Sequence, residues 1–327
     1  MTDTAPLPAV LVIAHRGASG ERPEHTLAAY ALAIEQGADV IEPDLVPTRD
    51  GVLVARHENN IAETTDVAEH PEFADRRTTK TIDGQRQTGW FTEDFTLAEL
   101  KRLRARERLP LMRPGNKAYD GQEAIPTFAE VVTLAKRAAE RTGRTIGVYP
   151  ETKHPSYFRS VGLPLEGRLL DALTAAGWNS ADAPVFIQSF EVANLEALHA
   201  RTPVRLIQLM DGKGGPADGA APSYAAMATP EGLARVASYA WGIGAAKDWI
   251  AAEPRVIADA HAAGLKVHLW TFRAENYFLG KSWRRGINPR GHGDVEGEIG
   301  HALQAGVDGV FTDFPLSGRR AVDAATE

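Results

Sequence analysis

Short runs of β-branched and apolar residues alternate with amphipathic helical stretches along most of the chain. This alternation limits the fold more than any other feature, because it calls for a parallel sheet joined by crossover helices. The candidate strands, in order, are Ala9–Ala14, Asp39–Leu45, Thr145–Glu151, Pro184–Ser189, Val204–Leu209, Ala240–Gly244, Lys266–Thr271 and Asp308–Asp313. Eight is the number that closes an α/β barrel with its helices outside, so the predicted fold is a (β/α)8 TIM barrel. An open doubly wound sheet fits the same alternation. At 327 residues the chain could form one large domain or two ordinary ones, and α/β barrels routinely run to ~250 residues as a single unit. We read 1–327 as one catalytic domain.

Local signals place the connections. Thr26 can cap a helix that buries Leu27, Tyr30 and Ile34 and ends at Gly37, and Thr127-Phe-Ala-Glu130 is a capping box. Val52–His57 looks like a strand but follows Leu45 after only a short link through Asp50-Gly51. A parallel return needs roughly a dozen residues. The run therefore predicts an antiparallel hairpin that carries His57 back toward Glu42 and Asp44. Residues 58–125 break the rhythm with clustered charge, Thr and Gly and one short capped helix from Thr96, and they read as an insertion over one end of the barrel. Removing them leaves roughly the usual barrel length. Met210–Pro230, rich in Gly, Ala and Pro, reads as a mobile loop.

In such a barrel, chemistry sits at the C-terminal strand ends. His15-Arg16-Gly17 closes the first strand, Glu42 and Asp44 lie near the end of the second, Glu151-Thr-Lys153 closes the third, Gln188 the fourth, and Trp270 ends the seventh. Glu42 and Asp44 are two residues apart, so their side chains share a face ~7 Å apart along the strand. Such carboxylates repel, and a cation relieves them unless one stays protonated or basic neighbours pair with them. With Glu151 they make an all-oxygen site suited to Ca²⁺, or to Mg²⁺, rather than Zn²⁺. Arg16 and Lys153 add the positive charge an anionic phosphoryl group needs, and Gly17 would let backbone approach a ligand. His15 and His57 can pass protons near neutral pH. His25, His70, His199, His261, His268 and His301 read as packing or surface residues. His154 and His292 stay open, the latter because its loop could reach the barrel mouth.

These residues carry a family resemblance. His15-Arg16-Gly17-Ala-Ser, Pro23-Glu-His-Thr26, Glu42-Pro-Asp44, and Thr48-Arg-Asp-Gly51 leading to His57 resemble the opening signature of the glycerophosphodiester phosphodiesterases. Tyr149-Pro-Glu151-Thr-Lys153, Ile187-Gln-Ser-Phe190, His268-Leu-Trp-Thr271 and Phe311-Thr-Asp-Phe-Pro315 continue the match in order over nearly the whole chain. The form is most similar to the bacterial glycerol-phosphate-utilisation branch. The resemblance implies a (β/α)8 barrel with an inserted segment after the second strand. It implies a divalent cation, often Ca²⁺, on Glu42, Asp44 and Glu151, acid–base roles for His15 and His57, and phosphate contacts from Arg16 and Lys153. Gln188, Phe190 and Trp270 are expected to contact substrate. Two positions depart from the pattern: Glu58 follows His57 where Asp is usual, and His25 stands where many relatives have Asn.

The expected activity is hydrolysis of deacylated phospholipids, such as glycerophosphocholine or glycerophosphoethanolamine, to sn-glycerol 3-phosphate and an alcohol. A phospholipase C or D acting on intact lipid should show an apolar rim, and only scattered Trp241, Trp249 and Trp283 qualify. A non-catalytic binding protein should have lost a histidine or metal carboxylate, and all five are present. With 36 basic against 43 acidic residues, a net −7, the chain has no electrostatic footprint for nucleic acid and no polybasic anchor. The partner is a small molecule, and oligomeric state is not written in the pattern. Ten histidines and no cysteine exclude disulfides, thiolate catalysis and sulfur-ligated zinc. There is no secretory pattern in Met1–Pro8 and no apolar run of ~18 residues. The expectation is a cytoplasmic protein without stable membrane insertion, or a periplasmic or secreted one if a leader has been removed.

Overall fold

A computed structural model describes residues 5–326. Its main sheet has eleven strands and is curled, with helices packed on its outer face. In chain order its strands are β1 (Leu11–His15), β2 (Val40–Glu42), β3 (Asp44–Pro47) and β4 (Leu53–Ala55). A separate two-stranded ribbon, β5 (Thr78–Ile82) and β6 (Gln85–Gly89), comes next in the chain. The main sheet continues with β7 (Gly147–Val148), β8 (Glu151–Thr152), β9 (Phe186–Ser189), β10 (Arg205–Met210), β11 (Gly242–Ala246), β12 (Lys266–Phe272) and β13 (Gly309–Thr312). β2 and β3 are interrupted at Pro43, and β7 and β8 at Tyr149-Pro150, because proline offers no N–H to a ladder. Parallel pairing runs β1 with β2, β2 with β7, β3 with β8, and then from β8 through β13, which pairs back onto β1.

The expected local signals are present. Thr26 accepts a hydrogen bond from the Ala29 amide at the start of helix Leu27–Glu35. Thr127 and Glu130 form a reciprocal capping box on helix Phe128–Thr142, which ends at Gly143 with φ 70°. This helix buries Phe128, Val131, Val132, Ala135 and Ala138, a 3.6-residue stripe facing the sheet. β4 returns antiparallel to β3, with Leu45 opposite Ala55.

Strand alternation splits the core in two. Val12, Ala14, Ile41 and Val148 point out to the helices, whereas Leu11, Ile13, Val40, Tyr149, Phe186, Ile207 and Phe311 fill the concave side of the sheet. Continuing the inner set by two residues along each strand reaches His15, Glu42, Glu151, Gln188, Leu209 and Asp313. The site is thus the upper layer of the inner core. β11 contributes Gly244 here, where a Cβ would stand 2.5 Å from Leu209.

Two expectations need correction. The β5–β6 ribbon lies within residues 58–125, where a single short helix and no strand is expected. Its residues are mostly exposed, so no apolar alternation marks it, although the Asp83-Gly84 turn with φ 47° and 76° is a hairpin signal. Met210–Pro230 is structured in part: Met210 ends β10, and a helix spans Tyr224–Met227 with Tyr224 and Met227 buried.

Candidate active site

Sheet register assembles the site. His15 pairs across to Glu42, Asp44 to Glu151, and Glu151 to Gln188. All ten residues expected from the sequence line one pocket: His15, Arg16, Glu42, Asp44, His57, Glu151, Lys153, Gln188, Phe190 and Trp270. Leu209, Thr271, Arg273 and Phe311 complete its wall.

Glu42, Asp44 and Glu151 are buried and offer carboxylate oxygens within 4.8 Å of one another. Burial and the charges of Asp44 and Glu151 push the Glu42 carboxyl well above the usual range. Burial, with repulsion from Asp44, lifts Glu151 to about 8 against the pull of Lys153. Asp44 is held well below its ordinary value despite burial, by Lys153, His57 and His25. Two carboxyls that resist ionisation beside one that does not, with Asp44 Oδ1 buried and without a hydrogen-bond partner, are what a hard cation would correct. The residues fit such an ion. Each is also oriented: Glu42 accepts from the Arg16 amide at 2.8 Å and from Gln188 at 2.9 Å, and Glu151 lies 2.8 Å from Lys153 Nζ.

His15 and His57 each turn Nδ1 to a carboxylate. His15 meets Asp313 at 2.6 Å and His57 meets Glu58 at 2.5 Å. An ionised carboxylate only accepts, so in both rings the proton sits on Nδ1 and Nε2 keeps a lone pair. Arg273 and Arg113 hold Asp313 well below the carboxylate range in spite of its burial. The His57 hydrogen bond and Arg108 do the same for Glu58. Burial first, then Arg16, lowers His15 to about 4. Burial, Arg16 and Lys153 lower His57 to about 3. Burial and the neighbouring cations thus disfavour the protonated form of both imidazoles.

Several contributors were missed from sequence. Arg108 bridges Glu24 and Glu58, with Nη2 2.6 Å from each, and Glu24 in turn pairs with Arg16 at 2.9 Å. Arg113 reaches Asp313 and Glu275, both at 2.6 Å. No local pattern flags either arginine, since both lie in irregular chain. Asp313 did carry a signal: it ends the last strand two residues beyond inward-facing Phe311. His25, expected to be a packing residue, is buried but donates order to the site, meeting Asp44 at 2.9 Å and Tyr30 OH at 2.7 Å. Gly17 was expected to admit a ligand. Packing already calls for glycine there, because with φ 87° a Cβ would stand 2.7 Å from the backbone of Ala29. His154 bonds to Asp83, and His292 packs edge-on against Phe314, outside the pocket wall.

Comparison with known proteins gives consistent results. Residues 15–317 match the model of the glycerophosphoryl diester phosphodiesterase family. The chain is 36% identical to a glycerophosphodiester phosphodiesterase of Arabidopsis thaliana, over 92% of this chain and 83% of that protein. It is 28% identical to one from Haemophilus influenzae, over 94% and 88%. Among solved structures, an Oleispira antarctica phosphodiesterase in complex with the product sn-glycerol-3-phosphate superposes with a TM-score of 0.67 at 22% identity, covering 97% of both chains. A glycerophosphodiester phosphodiesterase from Agrobacterium tumefaciens gives 0.60 at 20% identity, over 95% of this chain and 99% of the other.

Proposed function

The chain belongs to the glycerophosphoryl diester phosphodiesterase family and hydrolyses glycerophosphodiesters, and we propose that it does so with His15 and His57 as an acid–base pair beside a divalent-cation site. The observation that carries this reading is the single pocket in which two carboxylate-oriented imidazoles, three convergent carboxylates and the cations Arg16, Lys153 and Arg273 meet. Arg16 and Lys153 bind the phosphoryl oxygens as charge builds on them. One imidazole takes the proton from the attacking hydroxyl, either water or the substrate's own glycerol hydroxyl. The other enters the cycle protonated and gives its proton to the leaving alkoxide. The anionic diester favours that protonated form, since its charge offsets Arg16 and Lys153. When bound by Glu42, Asp44 and Glu151, a hard cation, Ca²⁺ or Mg²⁺, supplies further neutralisation of phosphoryl charge. Gln188, Phe190 and Trp270 line the arm of the pocket that takes the glycerol moiety.

We read the architecture on the same terms, as a (β/α)8 barrel in which each proline-interrupted pair counts as one strand and residues 58–125 form an insertion over the mouth. Among the described residues no helix is long and apolar enough to cross a membrane, and the substrates proposed are small deacylated diesters such as glycerophosphocholine. The decisive experiment assays glycerol 3-phosphate release from a panel of such diesters with Ca²⁺, Mg²⁺ or chelator present. His15→Ala and His57→Ala are each expected to lower kcat/KM by about 10³ or more, with unchanged circular dichroism, and chelation to abolish turnover reversibly. Substantial activity in both variants would sink the histidine pair.

A further inference from the structure

A second cavity opens beside the active site. It holds about 850 Å³, against about 120 Å³ for the catalytic pocket, and the two share Trp270, Thr271 and Arg273 as a common wall. A phosphodiester has two alcohol arms. One can lie in the small pocket against Phe190, Leu209 and Phe311. The other has to leave the phosphoryl group past the shared wall, and the large cavity is what it meets. A volume of this size suits a bulky ligand and far exceeds what a two-carbon amino alcohol fills.

The charge of this chamber is positive on balance. Lys247 is neutralised by Glu298 at 2.9 Å and Asp248 at 3.1 Å, and Arg273 by Asp313 at 2.9 Å. Lys213, Lys281 and Arg284 are exposed, and among the described residues none of them has a carboxylate within ion-pair distance. They face two wall carboxylates, Asp211, whose Oδ1 accepts from the Gly212 amide, and Asp248, the second carboxylate on Lys247 and exposed, so the free charge stays positive by one. Of the four aromatic wall residues Trp249, Trp270, Tyr277 and Phe278, the Phe278 face is already taken by Arg273, 4.6 Å from its centroid, so one ring fewer is open to a quaternary ammonium.

We infer that this chamber receives the leaving alcohol and selects a headgroup bearing its own negative charge, a phosphorylated polyol above all, over choline or ethanolamine. Lys213, Lys281 and Arg284 are then specificity-determining residues. The inference rests on the hydrolytic reading above. The test compares kcat/KM for glycerophosphoinositol 4-phosphate and glycerophosphocholine, using the full chain at two ionic strengths. The anionic diester should be favoured by about tenfold at low salt, less at high salt, as expected for a few exposed charge pairs. The triple variant Lys213→Gln/Lys281→Gln/Arg284→Gln should bring the ratio near one through a raised KM for the anionic diester. Lys281→Glu alone should move it the same way, which keeps the test open should the triple variant misfold. Preference for glycerophosphocholine, equal turnover of the two diesters, or a ratio insensitive to both variants would overturn the selectivity while leaving the hydrolytic reading standing. Turnover of neither diester would overturn the hydrolytic reading and the selectivity with it.

Discussion

The two histidine–carboxylate pairs are built alike and placed differently. His15 and Asp313 are 298 residues apart and meet because β1 and β13 are neighbours in the sheet. Their side chains are 12% and 3% exposed, and Arg113 and Arg273 close the far side of Asp313. His57 and Glu58 are consecutive, 28% and 29% exposed, and backed by Arg108 alone. Two of these three arginines, Arg108 and Arg113, come from one short stretch of the segment 58–125. The contrast teaches that a buried pair must be over-determined, since an unpaired charge there is costly, whereas a half-exposed pair can lean on solvent. It also gives residues 108–113 a positioning role for both imidazoles.

The comparison can be broken by removing each carboxylate. Asp313→Asn should lower kcat/KM by about 100- to 1000-fold, because the buried ring loses the acceptor that sets its tautomer. Glu58→Gln should lower it by about tenfold, since solvent can replace part of the support. Steady-state kinetics that show equal losses would deny the difference in burial any catalytic meaning.

Removing each arginine asks the same question of stability. Arg113→Met strands Glu275 in the interior, leaves Asp313 with Arg273 as its one remaining arginine, and should cost about 3–5 kcal/mol in urea unfolding. Arg108→Met, at a site with 20% exposure, should cost about 1–2 kcal/mol. The reverse order would refute the assignment of Arg113 as the tighter of the two supports.

The effect of pH sharpens this further. The folded-state pKa of Asp313 is depressed, so its contribution is present above the unfolded value of about 4 and is lost as pH falls below it. The stability gap between wild type and Arg113→Met should therefore be full at pH 7 and shrink below about pH 4. A gap that widens on acidification contradicts an ionised Asp313. Smallest of all, Glu58→Asp keeps a carboxylate near His57 and Arg108. It should change kcat/KM by about threefold or less, roughly 0.7 kcal/mol, and a larger loss would mean that the length of Glu58 sets the His57 ring.

The sequence by itself determined the strand order, the β3–β4 hairpin and the layer of acids and imidazoles at the strand ends. These follow from local rules: a period of two along each strand, Thr caps on helices, and a link too short for a crossover. Glu42 and Asp44 could be placed on one face because they are two apart on one strand. Only the tertiary structure decided which groups orient the His15 and His57 rings. His15 depends on Asp313, and Asp313 on an arginine 200 residues earlier, and no periodicity links residues joined solely by hydrogen bonds across the fold. The β5–β6 ribbon is local, and it was hidden because its residues are mostly exposed and show no apolar alternation; the packing role of Gly17 was hidden because Ala29 meets it only in the fold. What surrounds a side chain, a neighbouring Ala29 or open solvent, is fixed by how the elements dock and leaves no mark on the residue's own neighbours in the chain.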